Sequence, residues 1–152
     1  LENLMIAEKT PGDRILGGFR RNWIKKEEEI VKKALNLLDF LGLKDLWNHP
    51  ASDLSGGQLK LLELGRALMR DVKLLIMDEP LAGIAPRLAE KLLDRLEELK
   101  NSGIALLLIE HRMDLVLDYV DNIYVIADGR IIAEGREEVL EHPEVVEVYL
   151  GA

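Results

Sequence analysis

The sequence predicts an α/β fold: a helical first half, a parallel-sheet core portion built as strand, helix and strand, and a C-terminal hairpin. Three observations carry this. Apolar residues recur at helical spacing as far as about Met69; two short apolar runs, Lys73–Met77 and Ile104–Ile109, flank one amphipathic helix; and Asp128-Gly129 lies between two further apolar runs. Two strands joined through a crossover helix run parallel in one sheet, whereas Asp-Gly between strands closes an antiparallel hairpin.

Each element has its own signal. Leu1 to Ala7 reads as helix, followed by a break containing Pro11, Gly12, Gly17 and Gly18. A charged helix then runs from about Lys25 to Phe40, with Ile30, Val31, Ala34, Leu37, Leu38 and Leu41 at helical spacing, and Gly42 stops it. Its run Lys25, Lys26, Glu27, Glu28, Glu29 is a solvated face. Gly57 to Arg70 is the next helix, and Pro86 to Lys100 the crossover helix, with Leu88, Leu92, Leu93, Leu96 and Leu99 on one side. Pro86 suits its first turn and Gly103 its end. The unbroken run Ile104 to Ile109 predicts a strand buried on both faces. Ile123–Ala127 and Ile131–Ala133 form the hairpin, and the acidic tail from Arg136 to Leu150, broken by Pro143, packs its apolar positions back on the sheet.

Composition bounds the rest. The 152 residues include 28 acidic and 20 basic side chains, a net charge of −8, and are 48% hydrophobic, enough for a core of one domain or a substantial piece of one. Charged residues of mixed sign, 32% of the chain, argue against disorder. Without cysteine there is no disulfide framework, which fits a reducing compartment. The acidic balance argues against binding through nucleic-acid phosphates. No apolar stretch approaches the roughly 20 residues that span a bilayer. The chain begins with Leu1, and Leu1 to Ala7 lacks the pattern of a signal peptide, so an internal start is expected.

The chemistry gathers at strand ends. The first apolar run passes into Asp78 and Glu79, the second into Glu110 and His111. In a parallel pair these residues emerge at one edge, where ligands of open α/β sheets collect. Adjacent carboxylates there can divide two tasks of nucleotide hydrolysis, one holding Mg²⁺ and its waters and the other orienting or deprotonating the attacking water. A histidine across the edge can hydrogen-bond a terminal phosphate. Leu54, Ser55, Gly56, Gly57 and Gln58 lead directly into a helix, where a hydroxyl and backbone amides can meet an anion at its positive end. Taken alone, that segment is equally a Ser-capped helix start.

Together these residues resemble the ATP-binding-cassette (ABC) ATPases. Leu54 to Gln58, LSGGQ, is similar to that family's signature motif, and Gly65, Arg66, Ala67, Leu68 to the helix after it. The run into Asp78 and Glu79 resembles the Walker B strand, and His111 stands where the switch histidine belongs. The resemblance covers essentially the whole chain, to the closing Tyr149, Leu150, Gly151. It implies part of a P-loop NTPase fold, with a helical signature subdomain over about 1–69 and the C-terminal part of the α/β core over about 70–152.

By that resemblance Asp78 organises Mg²⁺, Glu79 is the catalytic carboxylate and His111 contacts the γ-phosphate. Leu54, Ser55, Gly56, Gly57 and Gln58 contact ATP held by the opposite subunit of a head-to-tail dimer, homomeric or heteromeric. The expected partners are that second nucleotide-binding domain and transmembrane permease subunits, at the cytoplasmic face of the membrane. PLAGIAP (Pro80–Pro86), EHRMDL (Glu110–Leu115) and the Tyr-Leu-Gly ending resemble branched-chain amino-acid importer ATPases; lipopolysaccharide-exporter ATPases have a similar tail.

Two departures stand out. Ala85 occupies a position where the family usually carries Asp or Asn. A phosphate loop, GxxxxGK[ST] after a strand, is also missing: Gly12 and Gly17 have its spacing, but Gly18 and Phe19 follow and no apolar strand precedes them. The expected protein is therefore the C-terminal portion of an ABC ATPase, inactive alone, with a short non-hydrolysing half-site or regulatory module as the alternative.

Overall fold

A computed structural model describes residues 1–8 and 22–150, which fall into two compact units, Leu1–His111 and Arg112–Ala152. The Gly12/Gly17 near match and Gly151 lie outside the described residues.

The first unit begins with the short helix α1 (Glu2–Met5), then α2 (Asn22–Phe40) and α3 (Gly56–Leu68). Helix α2 buries Ile30, Ala34 and Leu38, one side chain per turn, while Ile24 to Glu29 stay exposed, as their charge pattern predicts. It starts three residues before the expected Lys25. Gly42, at φ 69°, takes the left-handed conformation that stops a helix where other residues are strained. Helix α3 buries Leu61, Leu62, Leu64 and Leu68. Lys33 of α2 donates from Nζ to the Met69 carbonyl at 2.6 Å, placing a cation at the negative end of α3.

Strands β1 (Leu74–Asp78) and β2 (Ala105–Ile109) pair in parallel, in register from Leu74 against Ala105 to Asp78 against Ile109. The crossover between them is α4 (Pro86–Asn101), with Pro86 at its first position and Ala89, Leu92, Leu93 and Leu96 buried. Gly103, at φ 95°, follows its end. Burial on both faces of β2 is not found. Leu106 and Leu108 are half-buried whereas Leu107 and Ile109 are exposed, and on β1 Leu75 is buried between exposed Leu74 and Ile76. Helix α4 packs against β2, and the exposed side chains Leu74, Ile76, Leu107 and Ile109 alternate with the covered ones, so one face of the pair is covered and the other is open.

The second unit contains the short helix α5 (Met113–Val116), then β3 (Ile123–Ala127) and β4 (Arg130–Gly135), paired antiparallel through Asp128-Gly129. Both turn residues have positive φ, 47° and 73°, as a two-residue hairpin turn requires. The register shifts by one residue between Val125 and Ile126. The tail continues as a 3₁₀ turn (Glu137–Glu141), α6 (Pro143–Val145) and a π-helical turn (Val146–Leu150). Pro143 opens α6 instead of breaking a helix. Val139 and Val145 bury against Val125 with Ile123, Ile132, Ala133 and Leu140, so the tail does pack on the hairpin. Tyr149 adds a hydrogen bond from Oη to the Ile126 carbonyl at 2.6 Å. No helix among the described residues is long and apolar enough to cross a membrane.

Candidate functional site

All the sequence-predicted site residues lie in the first unit, on three structural features. The start of α3 is a capping box. Ser55 Oγ accepts from the Gln58 amide at 3.3 Å, and Gln58 Oε1 accepts from the Ser55 amide at 2.8 Å. This arrangement leaves the Ser55 O–H hydrogen free to turn outward. The first-turn amides of Gly56 and Gly57 have no carbonyl four residues back within the helix. The two glycines differ. A Cβ on Gly56 would meet nothing within 4 Å, whereas one on Gly57 would fall 2.3 Å from Leu88 Cδ2 and 3.2 Å from Ile84 Cγ2. Gly56 thus keeps the helix end open to a ligand, and Gly57 lets α3 approach the start of α4. Leu54, half-buried, closes the 3₁₀ turn just before the cap.

The second feature is the end of β1. Asp78 is its last residue and Glu79 follows at φ 45°, unusual for a non-glycine residue. The Glu79 amide donates to the Ile109 carbonyl at 2.8 Å, extending the parallel ladder one step beyond the strand. The third feature is the end of β2, where Glu110 and His111 emerge. Parallel register therefore brings both strand ends to one edge, as predicted. His111 Nδ1 lies 3.6 Å from Glu79 Oε1, with the side chains 65% and 55% exposed, so the pair has small energetic weight and both groups are open to a ligand.

Two polar contacts at this edge escaped the sequence reading. Lys60, on α3 beyond Gln58, donates from Nζ to the Glu79 carbonyl at 2.8 Å. Glu110 Oε1 accepts from the Leu81 amide at 2.7 Å. Both cross many residues of sequence and leave no periodic trace. The only available signal was the presence of a charged residue at a strand end or on the helix that Ser55 caps. Ala85 is the N-cap of α4 and has no side-chain cap bond, the local consequence of lacking Asp or Asn there.

No cluster of three or more His, Asp or Glu side chains suited to a metal ion occurs among the described residues. A cation such as Mg²⁺, which keeps waters and substrate phosphate oxygens around it, needs only one or two carboxylates. Exposed Asp78, beside Glu79 at the strand end, meets that smaller requirement.

Known proteins place this arrangement in a family. Residues 2–82 match the family model described as ABC transporter. The chain is 57% identical to a probable branched-chain amino acid transport ATP-binding protein of Archaeoglobus fulgidus, matching 100% of this chain and 60% of that protein. Its counterpart in Methanocaldococcus jannaschii is 52% identical over 99% of this chain and 61% of its own length. A high-affinity branched-chain amino acid transport ATP-binding protein of Salmonella typhimurium is 34% identical, with the same coverages of 99% and 61%. The chain thus spans about three fifths of the length of these relatives and corresponds to their C-terminal part. Among solved structures, a nucleotide-free ATP-binding cassette from an ABC transporter superposes with a TM-score of 0.82 at 50% identity, covering 99% of this chain and 62% of that one. An ABC cassette in its ADP conformation gives the same TM-score and coverages at 51% identity. These matches establish an α/β fold of the P-loop NTPase, ABC-cassette type, and the chain belongs to the ABC transporter family.

Proposed function

We propose that this chain supplies the signature segment and the hydrolytic carboxylate of an ABC ATPase that drives branched-chain amino-acid uptake. The observation that carries the reading is the shared edge of β1 and β2, with Glu79 and His111 facing each other at 3.6 Å beside Asp78. The names of the relatives support the transported class.

In this reading Glu79 orients the attacking water and takes its proton, as an exposed carboxylate at a strand end is able to do. His111, with Nδ1 toward Glu79, keeps its other ring nitrogen for an oxygen of the terminal phosphate. Asp78 would hold Mg²⁺ through its water shell, and the cation would neutralise charge on the phosphates. Ser55, Gly56, Gly57 and Gln58 would offer the hydroxyl and first-turn amides of α3 to the ATP of a second cassette, homomeric or heteromeric, paired head to tail. Leu54 sets the chain direction into that turn. The nucleotide then lies between two chains, and its hydrolysis and release let them separate. Permease subunits would receive that motion, with the ATPase peripheral at the cytoplasmic face of the membrane. The division into a helical subdomain over about 1–69 and core from about 70 belongs to the same proposal.

The test uses a complete cassette, with this chain joined behind the N-terminal portion of the Archaeoglobus fulgidus relative that it does not span. Glu79→Gln should lower steady-state phosphate release roughly 10²- to 10⁴-fold. Near-parental turnover in that variant would remove Glu79 from the mechanism.

A further inference from the structure

Glu79 opens a four-residue turn in which the Ala82 amide donates back to the Glu79 carbonyl at 3.1 Å. Pro80, at the first central position, has the fixed φ that such turns favour and no amide to satisfy. Leu81, at the second, has an amide that the turn itself leaves without a partner, and its side chain is fully buried. Three hydrogen bonds reach this turn from outside. The Glu79 amide donates to Ile109 at the end of β2; the Glu79 carbonyl accepts from Lys60 of α3; and the Leu81 amide donates to Glu110 just beyond β2. Glu79 itself sits at φ 45°, a conformation disfavoured for a residue with a side chain.

Glu110 is an unusual choice if stability is its sole purpose. Its second oxygen, Oε2, is buried and has no hydrogen-bond partner among the described residues. A buried acceptor left unsatisfied is destabilising. The other oxygen, Oε1, is bound to the turn that bears Glu79. Lys60 reaches the same turn from α3, with a long side chain that must give up rotamer freedom to hold one carbonyl.

We propose that Lys60 and Glu110 are positioning residues that clamp the Glu79–Ala82 turn from α3 and from the end of β2, so that the Glu79 carboxylate is held in place for hydrolysis. The inference rests on Glu79 being the hydrolytic group. Neither residue needs to touch the nucleotide. Lys60 fixes the carbonyl of the peptide that Glu79 begins, and Glu110 fixes the amide two residues on. Release of either handle lets the turn relax toward negative φ and swings the carboxylate away.

The complete cassette described above gives the test, with kcat and KM for ATP measured separately. Glu110→Ala should lower kcat roughly 10- to 100-fold and leave KM within about twofold, because the lost bond aligns the reacting group and does not bind substrate. Glu110→Gln retains an oxygen acceptor for the Leu81 amide and should recover most of that loss. Lys60→Met keeps the apolar stem without the ammonium group and should lower kcat about 3- to 10-fold, with Lys60→Arg restoring it. Lys60 lies near the surface, so its variants decide the matter even if Glu110→Ala fails to fold.

The clamp is overturned if Lys60→Met, and Glu110→Ala where folded, keep kcat within about twofold of the parent while Glu79→Gln loses turnover. It is equally overturned if the losses fall on KM, or if the conservative variants do not restore kcat. Full turnover in Glu79→Gln would instead overturn the functional reading, and the clamp with it.

Discussion

Among the described residues two non-glycine positions have positive φ, Glu79 at 45° and Asp128 at 47°, one in each unit. Asp128 opens a two-residue hairpin turn with Gly129 behind it, and its residue type tolerates the left-handed region. Sequence chemistry suffices there. Glu79 has no such local reason. It is not a residue type that favours the conformation, and its turn is tied by hydrogen bonds to Lys60 of α3, to Ile109 of β2 and to Glu110 just beyond β2. The same backbone angle is turn chemistry in one place and imposed by tertiary structure in the other. Observed strain at a charged strand end is the kind that accompanies function.

The sheets around the two residues differ in the same sense. Parallel pairing of β1 and β2 requires a long crossover and delivers both strand ends to one edge, where Asp78, Glu79 and His111 collect. Antiparallel pairing of β3 and β4 needs only Asp128-Gly129 and brings one strand's end against the other's beginning. The first geometry brings residues distant in sequence to one edge; the second closes a small core around Val125, Val139 and Val145.

Substitutions can break this contrast. Asp128→Val puts a β-branched side chain at positive φ and should destabilise the chain by about 1–2 kcal/mol in urea unfolding. A neutral result would mean that the turn does not need its local chemistry. Glu79→Gly should act in the opposite direction, raising stability by about 0.5–1 kcal/mol as strain is relieved, with hydrolysis lost in the complete cassette. A stability loss would show the Glu79 side chain to be structural. Ala85→Asp, at the uncapped start of α4, should add about 0.5–1 kcal/mol to stability through a side-chain cap. No gain in urea unfolding would mean that the α4 amides are already satisfied.

Much of this was legible in the sequence because it is encoded locally. The apolar spacing of α2 and α4, Pro86 at a first turn, Gly42 and Gly103 past helix ends, and Asp128-Gly129 each state their own structure. The strand-end edge followed from one further step, since a crossover helix implies parallel strands. What could not be read depends on partners far along the chain. Lys60 reaches Glu79 and Glu110 reaches Leu81 through single side chains, which no periodicity records. Two-sided burial of β2 was inferred from an apolar run, but such a run reports what a strand is suited to meet, and here α4 covers one face. The packing of Gly57 against Leu88 is likewise absent from the local pattern.

The most direct test of the account is sedimentation velocity of the complete cassette carrying Glu79→Gln, with and without ATP. In the proposed function, blocked hydrolysis would leave ATP as the joint between two chains, so ATP should convert monomer to dimer. Adding Ser55→Arg should weaken that dimer on the order of 10- to 100-fold by overfilling the α3 cap. A cassette that stays monomeric with ATP, or dimerises equally well with Ser55→Arg, would contradict the assignment of Ser55 to Gln58 to a partner's nucleotide.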